Sequence, residues 1–136
     1  SGRDSPAREV LMLTHPGFGL REACRVADTD RVKGLLAAGA DVMSRDEVFE
    51  RTPLHHAAWS GHQHICRLLI NQQAEVDARD MSNQTPLHLA AERGWGSVIT
   101  VLVNHGAKLR AQTSSGNLPL HYAAVNNHYS AAANIL

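Results

Sequence analysis

A seven-residue pattern occurs three times along this chain, and successive copies are 33 residues apart. It reads Thr-Pro-Leu-His-His-Ala-Ala from Thr52, Thr-Pro-Leu-His-Leu-Ala-Ala from Thr85 and Leu-Pro-Leu-His-Tyr-Ala-Ala from Leu118. A more divergent copy begins at Phe18, 34 residues before Thr52, and its extra residue falls within residues 45–51. Because a unit of this length cannot bury its apolar face alone, the period predicts a solenoid of stacked units that share one core.

Each repeat is predicted to form two helices joined by a short turn. The proline of the pattern suits the first turn of a helix, where its missing N–H has no partner, and Thr52 is a favourable N-cap. Leu54, Ala57 and Ala58 then form an apolar stripe at helical spacing, and a second apolar run follows in each unit. Helix ends are predicted at the glycines Gly39, Gly61, Gly94 and Gly106.

Three positions depart from this pattern. Gln73 stands where a helix-ending glycine is expected, so it either adopts a positive φ, at a cost of about 1 kcal/mol, or the helix ends differently. Asn127 replaces another glycine, which is a milder change because asparagine tolerates the left-handed region. Leu118 replaces the capping threonine, so its helix loses a cap worth about 1 kcal/mol unless Asn117 supplies one.

Charge and hydropathy patterning exclude several classes of partner. The 136 residues carry 13 basic and 13 acidic side chains, so the chain lacks the positive surface of a nucleic-acid binder. No apolar run approaches the roughly 18 residues of a membrane span, and the N-terminus lacks the apolar core of a signal peptide. We therefore expect no nucleic-acid partner, no membrane insertion and an intracellular location, in the cytoplasm or possibly the nucleus.

Histidine and cysteine are the residues that could carry chemistry, but their spacing does not favour it. No cysteine or carboxylate completes a tetrahedral metal set around the nine histidines, so no metal site is predicted. Cys24 and Cys66 fall in apolar helical patterns, where a free thiol behaves as a small buried hydrophobe. No phosphate-binding glycine loop is present. We expect no cofactor and no enzymatic activity.

Taken together, the threonine-proline-leucine-histidine pattern, a following Gly-His, a Leu-Leu pair and a Gly-Ala-Asp at a period of 33 resemble the ankyrin repeat. The resemblance covers residues 18–136 and implies an all-α solenoid of helix-turn-helix units with short β-hairpin loops. It implies repeats at 18–51, 52–84, 85–117 and 118–136, the last truncated, after an N-terminal extension at 1–17 that is disordered or partly tag-derived. It also implies that the pattern histidines hydrogen-bond to backbone of neighbouring loops.

The resemblance further implies a protein-binding surface on the concave side and at the hairpin tips. Repeat positions eight, eleven and twelve face the concave side in this family, and the helical wheel places them off the apolar stripe. Those positions are His56, Trp59, Ser60, Leu89, Glu92, Arg93, Tyr122, Val125 and Asn126. Trp59, Leu89 and Tyr122 are expected to be exposed, with Trp59 either a binding anchor or a cover for the next repeat's helix. At the tips, Phe49 either meets a partner or folds onto its own hairpin, and Met81 lies in the next hairpin.

These patterns predict a non-catalytic protein–protein interaction module, a scaffold or adaptor whose protein partner the sequence does not identify. The alternative is a regulatory or structural segment that acts in cis within a larger enzyme, kinase or channel. Ile135 and Leu136 align with the middle of a helix and are expected to be uncovered. We therefore expect the full-length protein to continue into further repeats or domains, or another molecule to cover this end.

Overall fold

The computed structural model describes residues 17–126 and 128–135. Within these ranges the chain forms eight α-helices and no β-strand. The expectations for residues 1–16, Asn127 and Leu136 lie outside the described residues. The helices are α1 (Phe18–Arg25), α2 (Thr29–Ala37), α3 (Pro53–Ser60), α4 (Gln63–Asn71), α5 (Pro86–Arg93), α6 (Gly96–Asn104), α7 (Pro119–Val125) and α8 (Tyr129–Ile135).

The helices pair as the repeat predicts and stack in two layers. The first helices of the units, α1, α3, α5 and α7, pack in sequence order, and the second helices α2, α4, α6 and α8 form the other layer. One core runs between the layers and includes Leu20, Leu54, Leu87 and Leu102, all essentially inaccessible to solvent. Small alanines on the first helices let neighbouring units approach closely, so each unit is stabilised mainly by the next.

The starts of α3 and α5 are capped by the residues that the sequence predicts. The Thr52 side chain accepts a hydrogen bond from the His55 backbone N–H, and the His55 ring accepts one from the Thr52 N–H at 3.1 Å. Thr85 begins α5 in the same way. At α7, Leu118 donates its N–H to the His121 ring at 3.0 Å, but no side chain accepts from the first turn. The predicted loss of a threonine cap at α7 is therefore confirmed.

The predicted helix ends are confirmed, and Gln73 adopts the first of its two alternatives. Its φ is +73°, so a residue with a Cβ occupies the left-handed region where the other repeats have glycine. At Gly61, φ is +83°, and a Cβ there would lie 2.7 Å from the Trp95 ring. Gly61 is thus required both by its backbone and by the close approach of the next repeat.

The C-terminal end of the described chain differs from expectation. Ile135 is only 5% exposed and belongs to the core, because α8 packs against both α6 and α7. The expectation that Ile135 is uncovered is therefore wrong. A helix with neighbours on two sides covers an apolar side chain even where the repeat is short.

Three hairpin loops join the repeats, and each is closed by a single backbone hydrogen bond. These bonds run from Asp46 N–H to Arg51 O, from Asp80 N–H to Gln84 O and from Thr113 N–H to Asn117 O, at 3.0 Å each. The first loop holds one residue more than the others, in the segment where the sequence places the extra residue. Neighbouring loops are also joined, from Met81 N–H to Phe49 O at 2.8 Å and from Ser114 N–H to Ser82 O at 3.0 Å. The loop tips consequently form one aligned row.

Candidate functional site: the first-helix face and the hairpin tips

Side chains at the start of each hairpin fix its shape. The Asp46 carboxylate accepts a hydrogen bond from the Phe49 N–H at 2.7 Å, and the Asp80 carboxylate accepts from the Ser82 and Gln84 N–H groups at 2.9 Å. In the third loop, the Thr113 hydroxyl oxygen takes the same role with two N–H groups. Such turns need no strand partner, which is why short loops stand in a fixed conformation beside the helices.

Two arginines tie each hairpin to the following one. The guanidinium of Arg79 donates to the carbonyl of Asn83 in its own loop at 2.9 Å and to that of Gln112 in the next at 2.8 Å. Arg45, at the equivalent position one repeat earlier, donates to Glu50 O at 2.8 Å and to Arg79 O. These bonds cross between repeats, so they hold the row of tips rigid.

The pattern histidines have the structural role that the resemblance implies. The buried rings of His55 and His88 donate from Nε2 to the carbonyls of Gln84 and Asn117, at 2.8 Å and 2.9 Å, each in the following hairpin. Burial lowers the pKa of His55 to about 4, and it lowers the pKa of His88 as well. Both rings are therefore neutral at pH 7 and connect a helix start to the next loop.

Position eight of the repeats lies where the first helix meets its hairpin. His56 is bonded there to Asp46 at 2.8 Å, and Tyr122 is half-buried with its ring edge-on to His88, the centroids 5.2 Å apart. Leu89, between them, is completely buried, so the expectation of an exposed Leu89 is wrong. Helix α5 has a first helix on either side, and neighbours from both repeats cover this position.

Trp59 lies half-exposed between two arginines of neighbouring repeats. The guanidinium of Arg93 lies 4.8 Å from the centre of its ring, and that of Arg51 lies 5.8 Å from it. The Trp59 carbonyl accepts the indole N–H of Trp95 at 2.8 Å. Trp59 thus contacts the next repeat, and it also keeps part of its ring exposed beside the half-buried Ser60.

A surface pocket of about 260 Å³ lies between the third and fourth repeats. Its lining consists of Glu92, Asn117, His121, Tyr122, Val125 and Asn126. Four of these six residues are at predicted concave positions, so the structure does bring them together. Val125 is 80% exposed, which makes it the most open apolar side chain on this surface.

The hairpin tips expose a short apolar row. Val48, Phe49 and Met81 are 68%, 47% and 57% exposed, and the backbones of Phe49 and Met81 are joined directly. The Phe49 ring also lies under the guanidinium of Arg51, 4.6 Å from its centre. Phe49 therefore contacts its own hairpin and remains half-exposed at the same time.

The described residues offer little for metal or thiol chemistry. No group of three histidine, cysteine or carboxylate side chains lies close enough to hold a metal ion in the part of the chain that the structure describes. Burial raises the pKa of both Cys24 and Cys66 to about 12, whereas a nucleophilic cysteine needs a lowered pKa. None of the described helices is long and apolar enough to cross a membrane.

Comparison with known families gives a match along the described repeats. The model for ankyrin repeats, described as three copies, matches residues 20–112 and residues 74–136. This chain belongs to the ankyrin-repeat family. The all-α repeat fold expected from the sequence is thereby confirmed.

Curated relatives of this ankyrin-repeat chain include regulatory and kinase proteins. Protein phosphatase 1 regulatory subunit 27 of Mus musculus is 41% identical over 80 residues, 57% of this chain and 51% of that protein. The Homo sapiens protein of the same name is 40% identical with the same coverage. Serine/threonine-protein kinase 12 of Arabidopsis thaliana is 36% identical over 64 residues, 47% of this chain and 14% of the kinase. The chain thus spans about half the length of the phosphatase regulatory subunits that it matches.

Sequence reasoning missed the residues that organise this surface. Arg45 and Arg79 are 34 residues apart, as are Asp46 and Asp80, so the repeat register itself carried a signal for their paired roles. Trp95 was missed because it follows the first helix rather than lying on it. Its contact with Trp59 depends on how two repeats stack, which one repeat's pattern does not show.

Proposed function

We propose that this ankyrin-repeat chain is a non-catalytic protein-binding module, an adaptor that engages a partner through the first-helix face and the hairpin tips. By first-helix face we mean the side chains at the concave positions that the structure leaves at least partly accessible. These are His56, Trp59, Ser60, Glu92, Arg93, Tyr122, Val125 and Asn126. The similarity to a phosphatase regulatory subunit supports this kind of role.

The observation that carries the proposal is the continuous surface of accessible aromatic, apolar and charged groups across three repeats. Trp59 is held between two guanidiniums, and Tyr122 is oriented by the buried ring of His88. Aromatic and arginine side chains of this kind carry most of the binding energy at interfaces. Groups that are already ordered lose little entropy on binding, so this surface favours recognition of a partner.

The hairpin tips extend the same surface. Val48, Phe49 and Met81 lie in a row that arginine bonds and backbone bonds hold in place. Exposed apolar residues on fixed loops are a common composition of binding surfaces. A partner that spans both regions would contact the tips and the first-helix face together.

A comparison of captured proteins tests the proposal. The wild-type chain, a Trp59→Ala/Tyr122→Ala variant and a Val26→Ala/Leu109→Ala variant serve as baits in cell lysate, and quantitative mass spectrometry compares what each retains. Val26 and Leu109 are exposed apolar residues away from the proposed surface. We expect proteins that the wild type and the control variant capture and the Trp59/Tyr122 variant loses.

Circular dichroism must first show that all three baits are equally folded. If all three then retain the same proteins, the first-helix face is not the binding surface. If none captures a protein above background, an adaptor that acts in trans is contradicted.

A second candidate is a segment that acts in cis on a catalytic domain of the same polypeptide. It is favoured by the similarity to 64 residues of a plant kinase, which make up 14% of that kinase. In this case the first-helix face binds another domain of the same chain. The full-length protein with and without the Trp59/Tyr122 substitutions would then differ in domain contact by cross-linking, whereas the isolated chain would capture nothing.

A further inference from the structure

The pocket between the third and fourth repeats has an unbalanced charge. Glu92 supplies a carboxylate to the lining, and no lysine or arginine is among the lining residues. No hydrogen bond or ion pair joins Glu92 to another residue in the described part of the chain. The pocket thus presents an acceptor with a full negative charge and no partner.

The nearest basic neighbour in sequence does not neutralise this carboxylate. Arg93 follows Glu92 on α5, but its guanidinium is stacked against Trp59 at 4.8 Å and lies 5.9 Å from the centre of the Trp95 ring. The two aromatic contacts hold Arg93 in the second and third repeats. Glu92 is therefore left facing the fourth repeat, where it lines the pocket with Tyr122.

The rest of the lining offers aromatic and apolar surface and further acceptors. The Asn126 side-chain amide donates to the Tyr122 carbonyl at 2.9 Å, which leaves the Asn126 side-chain oxygen as an acceptor. The Tyr122 ring is kept in place by its edge contact with His88. Burial raises the pKa of Tyr122, and the negative charge of Glu92 raises it further, which is consistent with Glu92 lying near the phenol.

We propose that this pocket, which we call the Glu92 pocket, receives an arginine side chain from the protein partner. The inference rests on the proposed function, because it names the partner group that one part of the first-helix face recognises. The guanidinium would lie against Tyr122 and donate to the Glu92 carboxylate and the Asn126 oxygen. Its methylene groups would cover Val125.

Arginine matches this lining better than any other side chain. A guanidinium is planar, always charged and carries five N–H donors, so it can stack on an aromatic ring while donating to a carboxylate and an amide oxygen. A lysine ammonium is a compact point charge that stacks less well and is more strongly hydrated. The pocket volume of about 260 Å³ is below the roughly 300–1,000 Å³ of sites for drug-sized ligands, which suits one side chain.

Titration with short peptides tests the pocket directly. The probes are N-acetyl-Gly-Arg-Gly-amide, the same peptide with citrulline, which is a neutral isostere of arginine, and the same peptide with lysine. Backbone amide NMR signals of the isotope-labelled chain report the contact. We expect the arginine peptide to bind in the millimolar range and to shift the signals of residues 92, 122, 125 and 126, the lysine peptide to bind more weakly, and the citrulline peptide not to bind.

The Glu92→Gln variant provides the charge test, and Glu75→Gln is its matched control on the exposed surface of the second repeat. Glu92→Gln keeps the shape of the side chain and is expected to weaken arginine-peptide binding about tenfold. Glu75→Gln is expected to leave it unchanged. Unchanged binding to Glu92→Gln, equal shifts with citrulline, or no shift at the four residues would each overturn the proposal.

Selection from a random peptide-display library separates this inference from the proposed function. We expect selected peptides to share an arginine at a fixed position and to lose binding to both Glu92→Gln and Trp59→Ala. Peptides that depend on Trp59 but share no arginine would overturn the inference and leave the proposed function intact. If no peptide is selected, the binding of extended segments is contradicted, and the titration still decides the Glu92 pocket.

Discussion

Acidification is expected to destabilise this chain through the buried ring of His55. The ring donates to Gln84 O at 2.8 Å and accepts from the Thr52 N–H at 3.1 Å. Adding a proton to Nδ1 would remove that acceptor and place a charge in a site without solvent. Burial is the main reason that the pKa of His55 falls from 6.5 to about 4, against a smaller opposing effect of the Gln84 carbonyl and the charge of Asp80.

The magnitude follows from the difference in proton binding between the two states. Between the folded pKa of about 4 and the ordinary value of 6.5, the unfolded chain binds more protons, so stability rises with pH in this window. The contribution is fully present above pH 6.5 and is lost as pH falls towards 4. At about 1.36 kcal/mol for each pKa unit, the full loss is about 3 kcal/mol, of which about 2 kcal/mol is gone at pH 5.

Urea unfolding followed by circular dichroism at pH 7 and pH 5 and constant ionic strength measures this loss. The wild type is expected to lose at least about 2 kcal/mol, because the lowered pKa values of His56 and His88 act in the same direction. His55→Gln should lose about 2 kcal/mol less between these pH values than the wild type. His64→Gln, at an exposed position on α4, is the control and should behave as the wild type does.

One result would refute the reasoning directly: equal free energies of unfolding for the wild type at pH 7 and pH 5. The reasoning would also be wrong if His55→Gln and the wild type showed the same pH dependence. NMR titration of the His55 ring in the wild-type chain gives an independent check. A midpoint near 6.5 would contradict the neutral, doubly bonded ring.

Three further predictions concern the hairpins, the helix ends and the thiols. Arg79→Ala should lower the free energy of unfolding by about 1–2 kcal/mol because it removes bonds to two loops, whereas Arg110→Ala, exposed and outside these bonds, should change it by less than about 0.5 kcal/mol; equal losses in urea unfolding would argue against the arginine links. Gln73→Gly should raise the thermal midpoint, since it relieves a positive φ worth about 1 kcal/mol, and a lower midpoint would contradict this. Cys24 and Cys66 should react with Ellman's reagent at pH 8 only in urea, and rapid reaction of the folded chain would refute their burial.

Helix positions and caps could be predicted because they depend on local chemistry that the repeat prints several times. Pro53 and Thr52 start α3 where the pattern places them, and φ is positive at Gly61 as the turn requires. The same register predicted a hydrogen bond from the His55 ring to a neighbouring loop. Each of these features is decided within one repeat or its immediate neighbour.

The candidate site could be predicted only in part because exposure depends on packing between repeats. Repeat position eight was correctly placed near the hairpins, but Leu89 is buried there whereas Tyr122 lines a pocket. The helical wheel shows which side of a helix faces its own partner. It does not show how much of the other side is covered by the two neighbouring repeats.

The sequence by itself determined the solenoid, its helix pairs and the residues that cap them, since a 33-residue period repeats the same local instructions. Only the tertiary structure decided that Arg93 stacks on Trp59, that the carboxylate of Glu92 lacks a partner within the described residues and that Ile135 is buried. These outcomes depend on distances between side chains from different repeats. Such distances are set by the stacking of whole units, and no single repeat encodes them.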